Sequence, residues 1–162
     1  MRAQRLTQLA RSLAASCRRR GLVVATAESC TGGGVAEAIT RVAGSSAWFD
    51  RGFVTYTNTA KREMLGVSGA TLSSHGAVSE AAAREMAQGA LAFSHADVSV
   101  AVTGIAGPGG AVPGKPVGTV HFAWAYRGGP VQARKFLFKG SRARVREQSV
   151  AVALQGLVDL IG

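Results

Sequence analysis

Cysteine, histidine and acidic side chains are all scarce in this 162-residue chain, and each shortage closes off a class of protein. Two cysteines, Cys17 and Cys30, cannot build a disulfide framework, so a reducing, cytoplasmic setting is expected. The three histidines are scattered without zinc spacing, and no cofactor or metal is called for. No apolar run approaches the roughly 18 residues of a membrane-spanning helix, so no membrane partner is expected. Nor is there a long apolar segment of the kind that marks a secretory signal. Aromatics make up only 6% of residues and do not interleave with the basic ones, as stacking on single-stranded nucleic acid requires.

Acidic residues number 9 against 19 Lys and Arg, for a net charge of +10. The excess sits in two stretches: residues 1–20 hold six Arg and no acid, and residues 127–148 hold seven basic residues against Glu147 alone. Residues 21–126 carry a net charge of −1. Clustered charge suits phosphate neutralisation, yet solvated helix faces are the preferred reading, and a nucleic-acid partner is not expected.

What is present is enough for a core: 47% of residues are apolar, in a length that suits one domain over residues 1–162. Leu6, Leu9, Leu13 and Cys17 recur at helical spacing, which predicts a helix over 3–20 ended near Gly21. Leu22 to Ala27 reads as a strand buried on both faces, broken by Glu28-Ser-Cys-Thr-Gly-Gly-Gly34 before a helix carrying Val35, Ala38, Ile39 and Val42. Phe53 to Thr57 predicts a second strand, and Asn58 or Thr59 caps a short helix holding Lys61 and Leu65. Ser79 caps an Ala-rich helix to about Phe93. Val98 to Thr103 is a third strand that runs into Gly104-Ile-Ala-Gly-Pro-Gly-Gly110. Val117–Tyr126 and Ala133–Phe138 form an antiparallel pair, and Ser141 opens a last helix. The order α-β-α-β-α-α-β-β-β-α implies a single three-layer α/β/α domain with a mixed sheet.

Open α/β sheets bind ligands beyond the carboxyl ends of their strands, which draws attention to the two Gly-rich loops. Ser29 stands between a strand and a helix, either as a nucleophile beside backbone N–H groups or as a plain helix cap with Thr31. A serine nucleophile needs a base. His75, His95 and His121 have no orienting acid beside them in sequence. Lys61 is either a desolvated general base or a solvated charge, and Tyr56 stands five residues before it. Cys30 is a rival nucleophile or a small buried residue.

The spelling goes further than spacing. Thr26-Ala-Glu-Ser-Cys-Thr-Gly-Gly33, Gly44-Ser-Ser-Ala-Trp-Phe49 and Arg51-Gly-Phe-Val-Thr-Tyr-Thr-Asn58 resemble the CinA carboxy-terminal domain family. So do Lys61 with Leu65-Gly-Val67, His75-Gly-Ala-Val-Ser-Glu80, Thr103-Gly-Ile-Ala-Gly-Pro-Gly109 and Lys115-Pro-Val-Gly-Thr-Val120. The likeness runs from about residue 5 to 158 and is to the stand-alone form, without the nucleotide-related amino-terminal domain of longer members.

The resemblance implies deamidation of nicotinamide mononucleotide, in pyridine-nucleotide salvage, by a Ser/Lys site without metal or cofactor. It casts Ser29 as nucleophile, Lys61 as base, Tyr56 as a proton relay or orienting hydroxyl, and Thr103 as a further active-site position. Glu28, Cys30, Thr31, Gly32 and Gly33 are then expected around the substrate and its oxyanion. Gly107, Gly109, Ser45, Ser46, Arg142 and Arg146 are candidates for the phosphate of this small phosphorylated pyridine nucleotide, Arg146 ahead of Arg142. Ser141 departs from the family's usual Asp but can still cap the helix. A homo-oligomer, in the simplest case a dimer, is expected. The competing readings are a non-catalytic partner in a competence or DNA-damage response, and an amidase for a different nucleotide-like amide.

Overall fold

Valine and alanine divide the two faces of the central sheet between them. Val24, Val98, Val100, Val102, Val120, Phe122 and Trp124 pack on one side, while Ala25, Ala27, Ala101, Ala123 and Ala125 pack on the other. Alternation of this kind follows from the period of two in a strand. The small-residue face lets an Ala-rich helix come close, and Ser99 Oγ donates 2.7 Å to the Ala87 carbonyl across that gap.

The computed structural model describes residues 2–162; Met1 lies outside the described residues. The chain runs α1 (Arg2–Arg20), β1 (Val24–Glu28), α2 (Gly34–Thr40), a 3-10 turn (Ser45–Ala47), β2 (Phe49–Val54), α3 (Asn58–Leu65), α4 (Gly69–His75), α5 (Glu80–Ala92), β3 (Val98–Gly104), β4 (Thr119–Tyr126), β5 (Val131–Leu137) and α6 (Arg142–Ile161). Sheet order is β2-β1-β3-β4-β5, with β1 parallel to β2 and β3, and β4 antiparallel to both β3 and β5. Residues of α1, α2 and α6 join the valine-face core, and those of α3, α4 and α5 join the alanine-face core. The fold is the expected three-layer α/β/α arrangement with a mixed sheet.

Several element boundaries shift by one or two residues, and three features depart further from expectation. β2 begins at Phe49 and ends at Val54 instead of spanning 53–57, because pairing with β1 sets its limits: Val24 opposes Phe49 and Glu28 opposes Val54. An edge strand tolerates Asp50 and Arg51, and Gly52 is needed where a Cβ would stand 2.6 Å from Thr26 Oγ1. Helix α4 went unforeseen because Gly69, Thr71, Ser73 and Ser74 are weak helix formers; Ser68 Oγ caps it by accepting from Ala70 and Thr71 N–H. The cap of α3 is Thr57, which accepts from Ala60 N–H at 3.0 Å, in place of Asn58 or Thr59. Ser79 and Ser141 cap α5 and α6 as expected.

Candidate active site

β1 and β3 end side by side, and residues of the loops beyond them line a cleft of about 320 Å³. Ser29 follows directly on β1. Its N–H donates 2.9 Å to the Val102 carbonyl, which carries the sheet ladder one residue past the strand. The chain then folds back on itself, with Gly32 N–H to Ser29 O at 3.0 Å and Gly34 N–H to Thr31 O at 2.9 Å. This tight turn requires the left-handed conformation at Gly32 (φ 58°) and Gly33 (φ 101°), which other residues adopt only with strain. The turn leaves Ser29 Oγ at the cleft, in a residue 9% exposed.

Lys61 reaches that hydroxyl from the other side. It lies in the first turns of α3, on the helix face that also buries Leu65, and is only 1% exposed. Its Nζ is 3.0 Å from Ser29 Oγ and donates 2.8 Å to the Thr55 carbonyl. Among the described residues it has no carboxylate within ion-pair distance. Burial therefore holds its pKa below the ordinary 10.5, because a charged ammonium is disfavoured away from water. A buried lysine without a counter-ion, touching a serine hydroxyl, is equipped to take a proton from it.

Cys30, Tyr56, Thr103, Gly107, Gly109 and Arg142 line the same cleft. Thr103 turns its hydroxyl to the Ala77 carbonyl at 2.8 Å, tying β3 to the segment before α5. Tyr56 is 56% exposed at the rim, where its hydroxyl accepts from Arg142 Nη2 at 2.7 Å. Arg142 Nη1 donates 2.8 Å to the Gly107 carbonyl, so one guanidinium bridges the two sides of the mouth. Cys30 is 4% exposed, and burial pushes its thiol up to about 11, where it stays protonated at neutral pH. Asn58, Ala77 and Val78 also line the cleft and were missed as site residues. The string His75 to Glu80 was the one available signal for the last two.

Other candidates lie elsewhere. Ser45 and Ser46 precede β2, which runs parallel to β1, so they stand at the far end of the sheet; Val24 N–H donates to Trp48 O there at 2.8 Å. Arg146 Nη2 donates 3.3 Å to the Thr31 carbonyl, and it is Arg142, not Arg146, that lines the cleft. Glu28 and Thr31 are buried behind the turn, with Thr31 Oγ1 donating 2.5 Å to Glu28 Oε1. Gly32 and Gly33 shape the turn and do not line the cleft. His75, His95 and His121 are likewise absent from its lining.

Much of the basic excess serves the fold. Arg19 and Arg20 donate to the Gly162 and Ile161 carbonyls at the end of α6, and Arg127 donates to the Leu91 carbonyl in the last turn of α5 and to the Ser94 and Ala96 carbonyls beyond it. Cations at helix carboxyl ends complement the helix dipole. Among the described residues no group of three His, Cys, Asp or Glu could hold a metal ion, and no helix is long and apolar enough to cross a membrane.

The chain is 54% identical over 152 residues to the nicotinamide-nucleotide amidohydrolase PncC of Escherichia coli strain K12, covering 94% of this chain and 92% of that one. It is 51% identical over 155 residues to the PncC of Pseudomonas putida, covering 96% of each. The crystal structure of the competence/damage inducible protein CihA from Agrobacterium tumefaciens superposes with a TM-score of 0.94 at 51% identity, covering 96% of this chain and 95% of that one. Residues 6–161 match the CinA C-terminal domain, and the chain belongs to that family.

Proposed function

We propose that this protein is a cytoplasmic amidohydrolase that converts nicotinamide mononucleotide to nicotinic acid mononucleotide and ammonia, in pyridine-nucleotide salvage. The observation that carries the proposal is the 3.0 Å contact between Lys61 Nζ and Ser29 Oγ in a residue pair shielded from water. The amidohydrolase relatives supply the substrate class.

Neutral Lys61 takes the Ser29 proton while Oγ attacks the carboxamide carbon, giving a tetrahedral oxyanion. The Ser29 and Gly32 N–H groups are already engaged with the Val102 and Ser29 carbonyls, and we assign the oxyanion donor to the Cys30 N–H, whose residue lies on the cleft lining beside Ser29. One such donor contributes about 10²–10³ in rate. The carbon–nitrogen bond then breaks, and the leaving nitrogen takes the proton from the Lys61 ammonium, so ammonia departs and a Ser29 ester remains. Lys61 next deprotonates a water, whose oxygen attacks the ester; collapse returns the proton to Ser29 Oγ and frees the carboxylic acid. Tyr56 bonds to Arg142 and not to Ser29, so direct transfer between Ser29 and Lys61 is favoured over a tyrosine relay. The Arg142 guanidinium at the mouth matches the substrate phosphate in charge and geometry.

The test is ammonia release from the purified protein given nicotinamide mononucleotide, with nicotinamide as control. Release from the nucleotide alone is expected. No release, together with a salt-sensitive shift of DNA, would replace this proposal with a non-catalytic nucleic-acid role.

A further inference from the structure

We propose that the Glu28 carboxylate, buried behind the catalytic turn, is a positioning residue for Ser29, acting through Thr31 and the start of α2. The inference rests on the reading of Ser29 as nucleophile.

Helix α2 begins without a side-chain cap, because its N-cap is Gly33, which carries no oxygen. Glu28 supplies that cap from a distance. Its Oε1 accepts from Val35 N–H at 2.9 Å and its Oε2 from Ala36 N–H at 3.0 Å, while the Thr31 hydroxyl donates 2.5 Å to Oε1. The residue is 1% exposed, and these three donors are the hydrogen-bond partners of its carboxylate among the described residues. The carboxylate thus ties the last residue of β1 to the middle of the Ser29 turn and to the helix that follows it. Ser29 sits at the hinge of that triangle, held at its other side by Val102.

The backbone of the same residue supports the base. The Glu28 carbonyl accepts from Thr55 N–H at 2.8 Å, the Thr55 carbonyl accepts from Lys61 Nζ at 2.8 Å, and Lys61 Nζ meets Ser29 Oγ, which is covalently joined to Glu28. The ring Glu28–Thr55–Lys61–Ser29 closes on itself. Both reacting groups are therefore referred to one strand end, and the carboxylate keeps the serine half of the ring in place. Because Glu28 lies outside the cleft lining, its loss alters the geometry of attack and leaves substrate contacts intact. A displacement of about 1 Å at a reacting atom costs about a hundredfold in rate.

In Glu28→Gln the amide NH₂ must face at least one of three donors, which leaves a buried donor unsatisfied. The expected result is a fall in kcat of about a hundredfold with KM within about threefold of wild type. Thr31→Val removes one tie and is expected to lower kcat about tenfold, with Thr31→Ser restoring it to within about twofold; this pair carries the test if Glu28→Gln does not fold. The rate at which a fluorophosphonate labels Ser29, which needs no substrate, is expected to fall in parallel. Folded variants that lose thermal stability but keep wild-type kcat and labelling rate would overturn the inference, as would a change confined to KM. Wild type that labels at Ser29 but releases no ammonia would sink the proposed activity alone, and the labelling rates of the variants would still decide the role of Glu28. Wild type inert in both assays would overturn both.

Discussion

Lys61 Nζ lies 3.0 Å from Ser29 Oγ across 32 residues of sequence, with the amine entering from α3 and the hydroxyl from the end of β1. The Thr55 carbonyl holds the amine from behind at 2.8 Å, so its orientation is fixed before any substrate arrives. Preorganisation of this kind removes the cost of assembling the proposed base and nucleophile during the reaction.

Ser29→Ala deletes the attacking atom with little change in volume. Ammonia release is expected to fall by about 10⁴-fold or more, with circular dichroism and melting temperature close to wild type. Turnover at the wild-type rate would show that the serine does not form the acyl intermediate.

The lowered pKa of Lys61 gives a pH dependence of definite sign. Burial favours the free amine, so kcat/KM is expected to rise with pH through a value below 10.5. Stability follows the same group. Between that lowered value and 10.5 the unfolded chain binds a proton that the folded protein does not, so the stability of wild type relative to Lys61→Met increases with pH across this window. Parallel denaturant titrations of the two proteins measure it; a gap that widens against wild type as pH rises would contradict a desolvated Lys61.

Cys30 borders Ser29 and lines the cleft, yet its thiol is pushed up to about 11. At pH 7.5 iodoacetamide is expected to leave activity intact over an hour, and Cys30→Ala to keep kcat within about fivefold of wild type, since the thiolate is the reactive form. Rapid inactivation traced by mass spectrometry to Cys30 would reverse this.

Arg142 and Arg146 are expected to separate by kinetics. Arg142→Ala is expected to raise KM for the nucleotide about tenfold or more, and Arg142→Lys to recover only part, because a point charge lacks the planar fork. Arg146→Ala removes a bond to the Thr31 carbonyl outside the cleft and is expected to leave KM within about twofold. Equal KM effects would put both side chains on the substrate.

Gly89 tests the packing that carries Lys61. A Cβ there would overlap the Leu65 carbonyl, where α5 crosses the end of α3. Gly89→Ala is expected to destabilise the protein by about 1–3 kcal/mol despite the better helix propensity of alanine. A melting temperature at or above wild type would show that the two helices have room to part.

The order of elements was largely legible because each carried its own local signal. Ser79 and Ser141 announced helix starts, and Val98 to Thr103 could only be a buried strand. Elements without such a signal were lost: α4 is written in glycine, serine and threonine, and the limits of β2 come from its partner. Among site candidates, Ser29, Tyr56, Lys61 and Thr103 came from recognisable strings, and all four line one cleft. Ser45 and Ser46 came from an equally recognisable string and sit at the opposite end of the sheet, since a motif states which residues recur and not which strand end they occupy. Arg142 and Arg146 lie one turn apart on α6, too close in angle for helical spacing to choose between them.

The amino-acid sequence alone determined the layered α/β character, the two glycine turns and the residue types available to the chemistry, because period, capping and backbone freedom act over a few neighbouring residues. Tertiary structure decided which amine meets which hydroxyl, that Glu28 faces a helix end and not the cleft, and that Lys61 is deprived of water. Those properties depend on distance and desolvation between segments far apart in the chain, and only packing sets them.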